Sequence, residues 1–258
     1  MQEKQRVAVI IPAKDEARRI GATIRAARSI PHVDLVIVVD DGSEDDTQKI
    51  ARAAGAATVR HSVNRGKASA METGARVAQM RETDESNPRL MLFLDADLGD
   101  SALSCMPLVE PVLSGKVDCT IAFLPPPQGA GGHGFVTGLG RKAIRRATGW
   151  VARQPLSGQR CITREAFDAV QPLAPGWGVE VGMTIDLLVA GYTVQEIPCD
   201  LHHRATANDF KGQLHRANQY KDVWLAAYSR RLHRVSVPRG KRNGTPPEPG
   251  MPFNAYGS

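Results

Sequence analysis

Leu90-Met91-Leu92-Phe93-Leu94-Asp95-Ala96-Asp97 is an apolar run that stops abruptly in two carboxylates spaced i, i+2. A short continuous apolar run reads as a strand buried on both faces, and the ends of such strands are where open α/β sheets place ligands. On extended backbone, side chains two residues apart face the same side, and a turn there lets both acids reach one ion. Carboxylate oxygens suit Mg2+ or Mn2+, hard cations that keep positions for water or substrate phosphates. A lone D-x-D is equally the cap of a following helix, so its meaning depends on its company.

Upstream of this stretch, strand-like and helix-like patterns alternate. Val7 to Ile11 and Leu35 to Val39 are apolar runs, and Ala57 to Arg60 is a shorter strand candidate. Between them Ala17 to Ser29, Glu44 to Ala54 and Lys67 to Met80 have helical composition. With the run Leu90 to Leu94 this gives a βαβαβ series, which predicts a mostly parallel sheet flanked by helices. The second half is less regular. Strands are expected over Val117 to Phe123 and Tyr192 to Ile197, helices over Arg141 to Val151 and Val179 to Ala190, and one further helix around Leu214 to Tyr228. Between these lie Pro125-Pro126-Pro127 and Gly129 to Gly134, a long loop of the kind that is usually functional. From Val235 onward Pro, Gly and charge dominate, which predicts a disordered tail.

The other predicted strand ends carry acids too. Strand one ends Ile11-Pro12-Ala13-Lys14-Asp15-Glu16, and strand two ends Val39-Asp40-Asp41-Gly42-Ser43. A carboxylate there can accept an imide N–H from a nucleotide base, or it can close an Asx turn into the next helix. Acids at neighbouring strand ends of one parallel sheet converge on a single crevice, which capping alone does not explain. Asn64-Arg65-Gly66-Lys67 opens the third helix, and the helix N-terminus with Lys67 makes an anion site. It is not a P-loop, because the glycine required five residues before Gly66 is His61. Gly138-Leu139-Gly140-Arg141-Lys142-Ala143 spells a dinucleotide fingerprint but has no clear strand before it.

Composition narrows the class. With 258 residues, 42% hydrophobic and 23% charged, the chain has the make-up of an ordinary soluble domain. No apolar segment approaches the roughly 20 residues that span a bilayer, and the N-terminus does not read as a signal peptide. Cys105, Cys119, Cys161 and Cys199 are scattered and read as reduced thiols, which points to a cytoplasmic protein. The net charge of +6 is concentrated between Lys211 and Arg242, a basic face suited to anionic lipid at the inner membrane surface or to solvent. No nucleic-acid-binding motif accompanies it, so nucleic acid is not expected as a partner.

Taken together, Ile11-Pro12-Ala13 with Glu16, Val39-Asp40-Asp41-Gly42-Ser43 with Asp46 and Thr47, Gly66-Lys67, and Leu94-Asp95-Ala96-Asp97 resemble the signatures of family-2-type glycosyltransferases with the GT-A fold. Pro155-Leu156-Ser157-Gly158, Thr163-Arg164-Glu165, Gly176-Trp177-Gly178-Val179-Glu180-Val181-Gly182 and His203-Arg204 are similar to the glucosyl-phosphoglycerate synthases in particular. The resemblance implies an α/β GT-A fold. Residues 1–115 would form the nucleotide-sugar half, 116–232 the acceptor half, and 233–258 the disordered basic tail.

It also implies roles. Pro12, Ala13, Glu16 and Asp40 or Asp41 would surround base and ribose, with Gly66, Lys67, Asp95 and Ala96 completing the nucleotide-sugar site. Asp97 and His203 would hold Mg2+ or Mn2+. Glu180 would contact sugar hydroxyls and, with Asp97, form the catalytic pair; Thr137, Gly158 and Arg204 would meet the acceptor. Two departures stand out. Phe135 precedes Val136-Thr137 where the relatives carry an acceptor-gripping arginine, and Ala205 stands where an asparagine follows His-Arg.

The implied activity is metal-dependent transfer of a sugar, glucose from a UDP-sugar in the first instance, to an acceptor that the sequence does not identify, a phosphate-bearing one being among the candidates. The cation would neutralise charge building on the departing nucleoside diphosphate. Retention and inversion both stay open, and so does homodimer formation. The alternative within the class is a polyprenyl-phosphate glycosyltransferase at the membrane surface, using a UDP- or GDP-sugar. Outside it stand a non-catalytic nucleotide-sugar-binding protein and a sugar-phosphate nucleotidyltransferase, though the latter wants a glycine-rich loop after strand one.

Overall fold

The computed structural model describes residues 5–123, 134–201, 210–244, 248 and 250–256, with backbone alone for 210–217. The chain runs β1 (Val7–Ala13), α1 (Ile20–Arg28), β2 (Val33–Asp40), α2 (Thr47–Ala53), β3 (Ala57–Arg60), α3 (Lys67–Gln79) and β4 (Leu90–Phe93). A 3-10 helix (Gly99–Leu108) leads into α4 (Glu110–Leu113), β5 (Cys119–Phe123), α5 (Gly134–Thr148), β6 (Arg160–Ile162) and α6 (Arg164–Ala169). A 3-10 turn (Gly176–Gly178), α7 (Val179–Val189), β7 (Val194–Pro198) and α8 (Phe210–Leu232) follow.

The strands form one seven-stranded sheet in the order β3-β2-β1-β4-β6-β5-β7. β1 pairs in parallel with β2 and β4, and β2 with β3, as the alternating pattern predicts. Both faces are covered, so the strands alternate between two cores rather than between core and water. Ile10, Met91 and Phe93 face one core with Ile144 and Phe167, while Val9, Ile11, Leu92 and Leu94 face the other with Ile20 and Ile24. Phe93 and Phe167 stack with ring centroids 5.1 Å apart. Helix α3 lies so close to β1 that a Cβ on Gly74 would come within 2.3 Å of Ile10 Cγ2.

After β1 the chain winds to β2 and β3 on one side, then crosses to β4 on the other. This reversal opens a crevice beyond the carboxyl ends of β1 and β4, the switch point where doubly wound sheets bind ligands. The residues after β1 (Lys14 to Glu16) and after β4 (Asp95 to Asp97) border it.

Three departures from the sequence expectation are structural. β6 is antiparallel to both β4 and β5, and at three residues it is too short to stand out as a pattern. Helix α5 begins at Gly134, well ahead of Arg141, and therefore carries the Gly138-Leu139-Gly140 spelling inside a helix rather than in a strand-to-helix turn. The segment from Val235, expected to be a disordered tail, is ordered where it is described. Val237, Phe253 and Ala255 are buried, Phe253 bridges Val194 of β7, and its ring stacks on Trp150 at 6.0 Å. Those few apolar side chains anchor a stretch whose average composition conceals them. The loop over 124–133 lies outside the described residues. Among the described residues no helix is long and apolar enough to cross a membrane.

Candidate donor site

Gly66 takes φ 88°, a left-handed conformation cheap only for glycine, and turns the chain into α3. Asp41 fixes that turn. Its Oδ1 accepts from the Arg65 N–H at 2.8 Å and lies 2.7 Å from His61 Nδ1; its Oδ2 accepts from the Gly66 N–H at 2.7 Å. His61 Nε2 continues the chain to Thr73 Oγ1 at 3.0 Å. Asp41 is thus a scaffold for the loop that delivers Lys67. Asp40 differs. Its Oδ1 accepts from the Ser43 N–H at 2.8 Å, an Asx turn, while its buried Oδ2 has no hydrogen-bond partner among the described residues and lies 3.5 Å from Arg60 Nη1. Glu16 follows β1 on the same rim, and its backbone N–H donates to Thr47 Oγ1 at 2.8 Å. Ala13 is buried and paired with Asp40, and Pro12 is half-buried beside it.

Lys67 is the hub. Its Nζ donates to Asp95 Oδ1 at 2.7 Å and lies 2.9 Å from Glu180 Oε1 at the start of α7. Burial works against the Lys67 charge, but the Asp95 and Glu180 carboxylates outweigh it and hold the ammonium above its ordinary pKa. Asp95 Oδ2 accepts from Gln159 Nε2 at 2.5 Å. Gly158 lies against the pair: a Cβ there would stand 2.4 Å from Lys67 Nζ and 2.8 Å from Asp95 Oδ1. The glycine expected at the acceptor therefore also borders the donor-side carboxylate.

Arg160, on β6, is fully buried and donates to Ser157 O, Thr184 Oγ1 and Glu180 O at 3.0, 2.9 and 3.0 Å. It ties the 157–159 loop to the first turns of α7. Gly178, at the N-cap of α7, and Gly182, one turn into it, let α8 close on this end, since Cβ atoms there would meet Ala226 Cβ at 2.5 Å and the Arg230 guanidinium at 2.8 Å. The glycines of the Gly-Trp-Gly-Val-Glu-Val-Gly stretch thus serve packing, and Glu180 supplies its chemistry.

Asp97 lies at the rim with Oδ2 4.0 Å from Arg19 Nη1. Ala96 is buried, and its carbonyl accepts from Thr23 Oγ1 at 2.9 Å, which pins the turn between the two acids. Both Asp95 oxygens are engaged by Lys67 and Gln159, whereas the Asp97 carboxylate at the rim fits a hard divalent cation that keeps its other positions for water and phosphate oxygens. Among the described residues no third metal-ligating side chain joins them. His203 and Arg204 lie outside the described residues. Thr137 sits half-buried in the first turn of α5, and Gly140, one turn on, packs against Val181 and Pro155. Gln159, Arg160, His61 and Arg19 are members of this site that the sequence reading did not single out. The signal for Gln159 and Arg160 was their place directly after Ser157-Gly158; nothing local marks His61 or Arg19.

A family model described as glycosyl transferase family 2 matches residues 8–170, more than half of the chain. Glucosyl-3-phosphoglycerate synthase of Mycolicibacterium paratuberculosis is 34% identical over 197 residues, 70% of this chain and 59% of that protein. The synthase of Mycobacterium tuberculosis is 32% identical over 197 residues, with 70% and 60% covered. The chain therefore spans about three-fifths of the length of these curated relatives. Among solved structures, the M. tuberculosis synthase with Mn2+, UDP-glucose and phosphoglyceric acid is similar at TM-score 0.68 and 26% identity, covering 92% of this chain and 82% of that one. Acids gathered at the switch point of a mostly parallel sheet, with a matching family model over the strands that carry them, lead to one statement: the chain belongs to glycosyl transferase family 2.

Proposed function

We propose that this protein transfers glucose from UDP-glucose to a small acceptor bearing a phosphate, with a divalent cation at the donor diphosphate. The observation that carries the reading is the meeting of Lys67, Asp95 and Glu180 from three separate elements beside a side-chain-free Gly158. The similar synthase bound to Mn2+, UDP-glucose and phosphoglyceric acid supports the choice of substrates.

Asp40 Oδ2, buried without a hydrogen-bond partner among the described residues, is suited to accept the imide N–H of uracil, with Pro12, Ala13 and Glu16 along the base. Asp95 takes the ribose side and Asp97, with His203, the cation, which supplies positive charge to the leaving diphosphate. Glu180 accepts hydrogen bonds from sugar hydroxyls, and Lys67 holds it and Asp95 at fixed separation, so the pocket is arranged before the sugar enters. Thr137 and Arg204 stand on the acceptor side. Phe135, 88% exposed at the start of α5, brings no charge there, so the acceptor phosphate is gripped differently from the arginine of the resemblance.

A thermal-shift panel of UDP- and GDP-sugars with and without Mn2+ tests this. Stabilisation should need both UDP-glucose and cation and should vanish in Asp97→Ala. Retention of the same metal-dependent response in that variant rejects the assignment.

A further inference from the structure

Away from the donor crevice, α5, the C-terminal half of α8 and the turn that follows enclose a cavity of about 580 Å³. Its floor is aliphatic, built from Leu139, Ala143, Ile185 and Val235. Trp224 and Tyr228 line one side, stacked with ring centroids 4.9 Å apart. Lys142, Arg146, Arg231, Arg234 and Arg239 form the rim; all five are exposed, and no acidic residue lines the cavity. Among the described residues none of the five makes an ion pair, whereas their neighbour Arg230 is held by Asp186.

Compensation of helix dipoles explains a basic residue in the last turn of α5 or of α8. It does not explain why cations from both helices and from the following turn converge on one apolar cavity. Arg234 adds a second sign. It holds φ 56°, a left-handed conformation at a helix end that glycine adopts at far lower cost, yet an arginine is kept there on the cavity rim.

We propose that this cavity docks the protein on a membrane surface rich in anionic phospholipid. The rim cations take the headgroup phosphate, and Trp224, Tyr228 and the aliphatic floor take the first part of the acyl chains. A bilayer, rather than a dissolved ligand, is favoured because apolar exposure continues past the cavity. Tyr220, Trp224, Tyr228 and Leu232 repeat every fourth residue along α8, and Tyr220 and Leu232, at the two ends of that row, are 45% and 67% exposed. A ligand confined to the cavity leaves those ends in water, whereas a bilayer interface covers them, and stacked aromatics beside arginines are suited to that depth. This inference is independent of the sugar-nucleotide reading.

The test is flotation of the full chain with phosphatidylcholine vesicles, with and without phosphatidylglycerol, at low and high salt. Co-flotation only with phosphatidylglycerol, weakened by salt, is expected. Each neutralised rim cation should weaken partitioning roughly fivefold, so the Arg231→Gln/Arg234→Gln pair loses roughly 25-fold. Lys116→Gln, an exposed charge elsewhere, should show no loss; Trp224→Ser should weaken binding without changing its salt dependence. Thermal melts confirm that each variant is folded. Equal flotation with neutral vesicles, no flotation, or an equal loss in Lys116→Gln overturns the proposal. So does stabilisation by monomeric dihexanoyl phosphatidic acid without vesicle binding, which marks a dissolved ligand, or a concentration-dependent dimer that does not float, which marks a self-interface.

Discussion

Lys67 and Glu180 stand in the first turns of two different helices, α3 and α7, and their charged groups meet 2.9 Å apart. Two helix N-termini with their partial positive charge thus point at one spot, where one ammonium faces two carboxylates. The parts of this charged cluster come from both halves of the chain.

Lys67 should contribute a pH dependence to stability only in alkaline solution. Its raised pKa means that its stabilising contribution is complete below the ordinary lysine value, about 10.4, and is lost only as pH rises through the higher folded value. In Lys67→Met, Glu180 and Asp95 are left facing each other without their counter-charge. The variant should therefore lie about 2–3 kcal/mol below the parent protein at neutrality, a deficit that shrinks as pH rises above the ordinary lysine value. Urea titrations across the pH range measure it, and a deficit independent of pH contradicts this account.

Gly158→Ala should separate fold from function. The new Cβ collides with the movable end of Lys67 and with the Asp95 carboxylate, not with backbone. The melting temperature should therefore drop by only about 2–4 °C, roughly 1 kcal/mol in a chain of this size, while turnover falls at least about tenfold because the donor contacts are displaced. Melting and initial-rate measurements on one preparation decide it.

Arg160 positions α7 rather than touching substrate. Its three partners are neutral oxygens, and burial pulls its pKa down despite nearby carboxylates. Arg160→Leu removes three buried hydrogen bonds, leaving Thr184 Oγ1 still donating to Glu180 O, and should cost about 2–3 kcal/mol, read as a lower denaturant midpoint at unchanged m-value. Arg160→Lys should not restore it, since an ammonium cannot span three acceptors in a plane. A structural role elsewhere would leave KM for the donor untouched; here it should rise.

All four cysteines are free and buried, and burial pushes the Cys119 thiol up to about 12 and Cys199 to about 11. Ellman's reagent at mildly alkaline pH should label none in the folded protein and all of them in urea, at a rate set by global opening. Rapid labelling of any one of them under native conditions contradicts the packing described.

Much of the first half was legible because β1, β2 and β4 are buried on both faces and announce themselves as apolar runs ending at Pro12, Asp40 or Asp95. Helix α3 was equally legible, opened by Gly66. That Asp41, and not Asp40, braces the turn into α3 was not, because it depends on where a loop twenty-odd residues later places its N–H groups. β6 was hidden for a related reason: Arg160-Cys161-Ile162 is extended because two neighbours supply its hydrogen bonds, not because of its own pattern. Composition misled most at the C-terminal end, where Phe253 fills a space created by β7 and Trp150, far away in sequence.

The short reversed strand has a mechanical consequence. β3-β2-β1-β4 and β5-β7 are two parallel blocks, and Arg160-Cys161-Ile162 is the splice between them. Any rocking of one block against the other strains that splice first. Its amide protons are therefore a built-in gauge, and their exchange reports any such rocking.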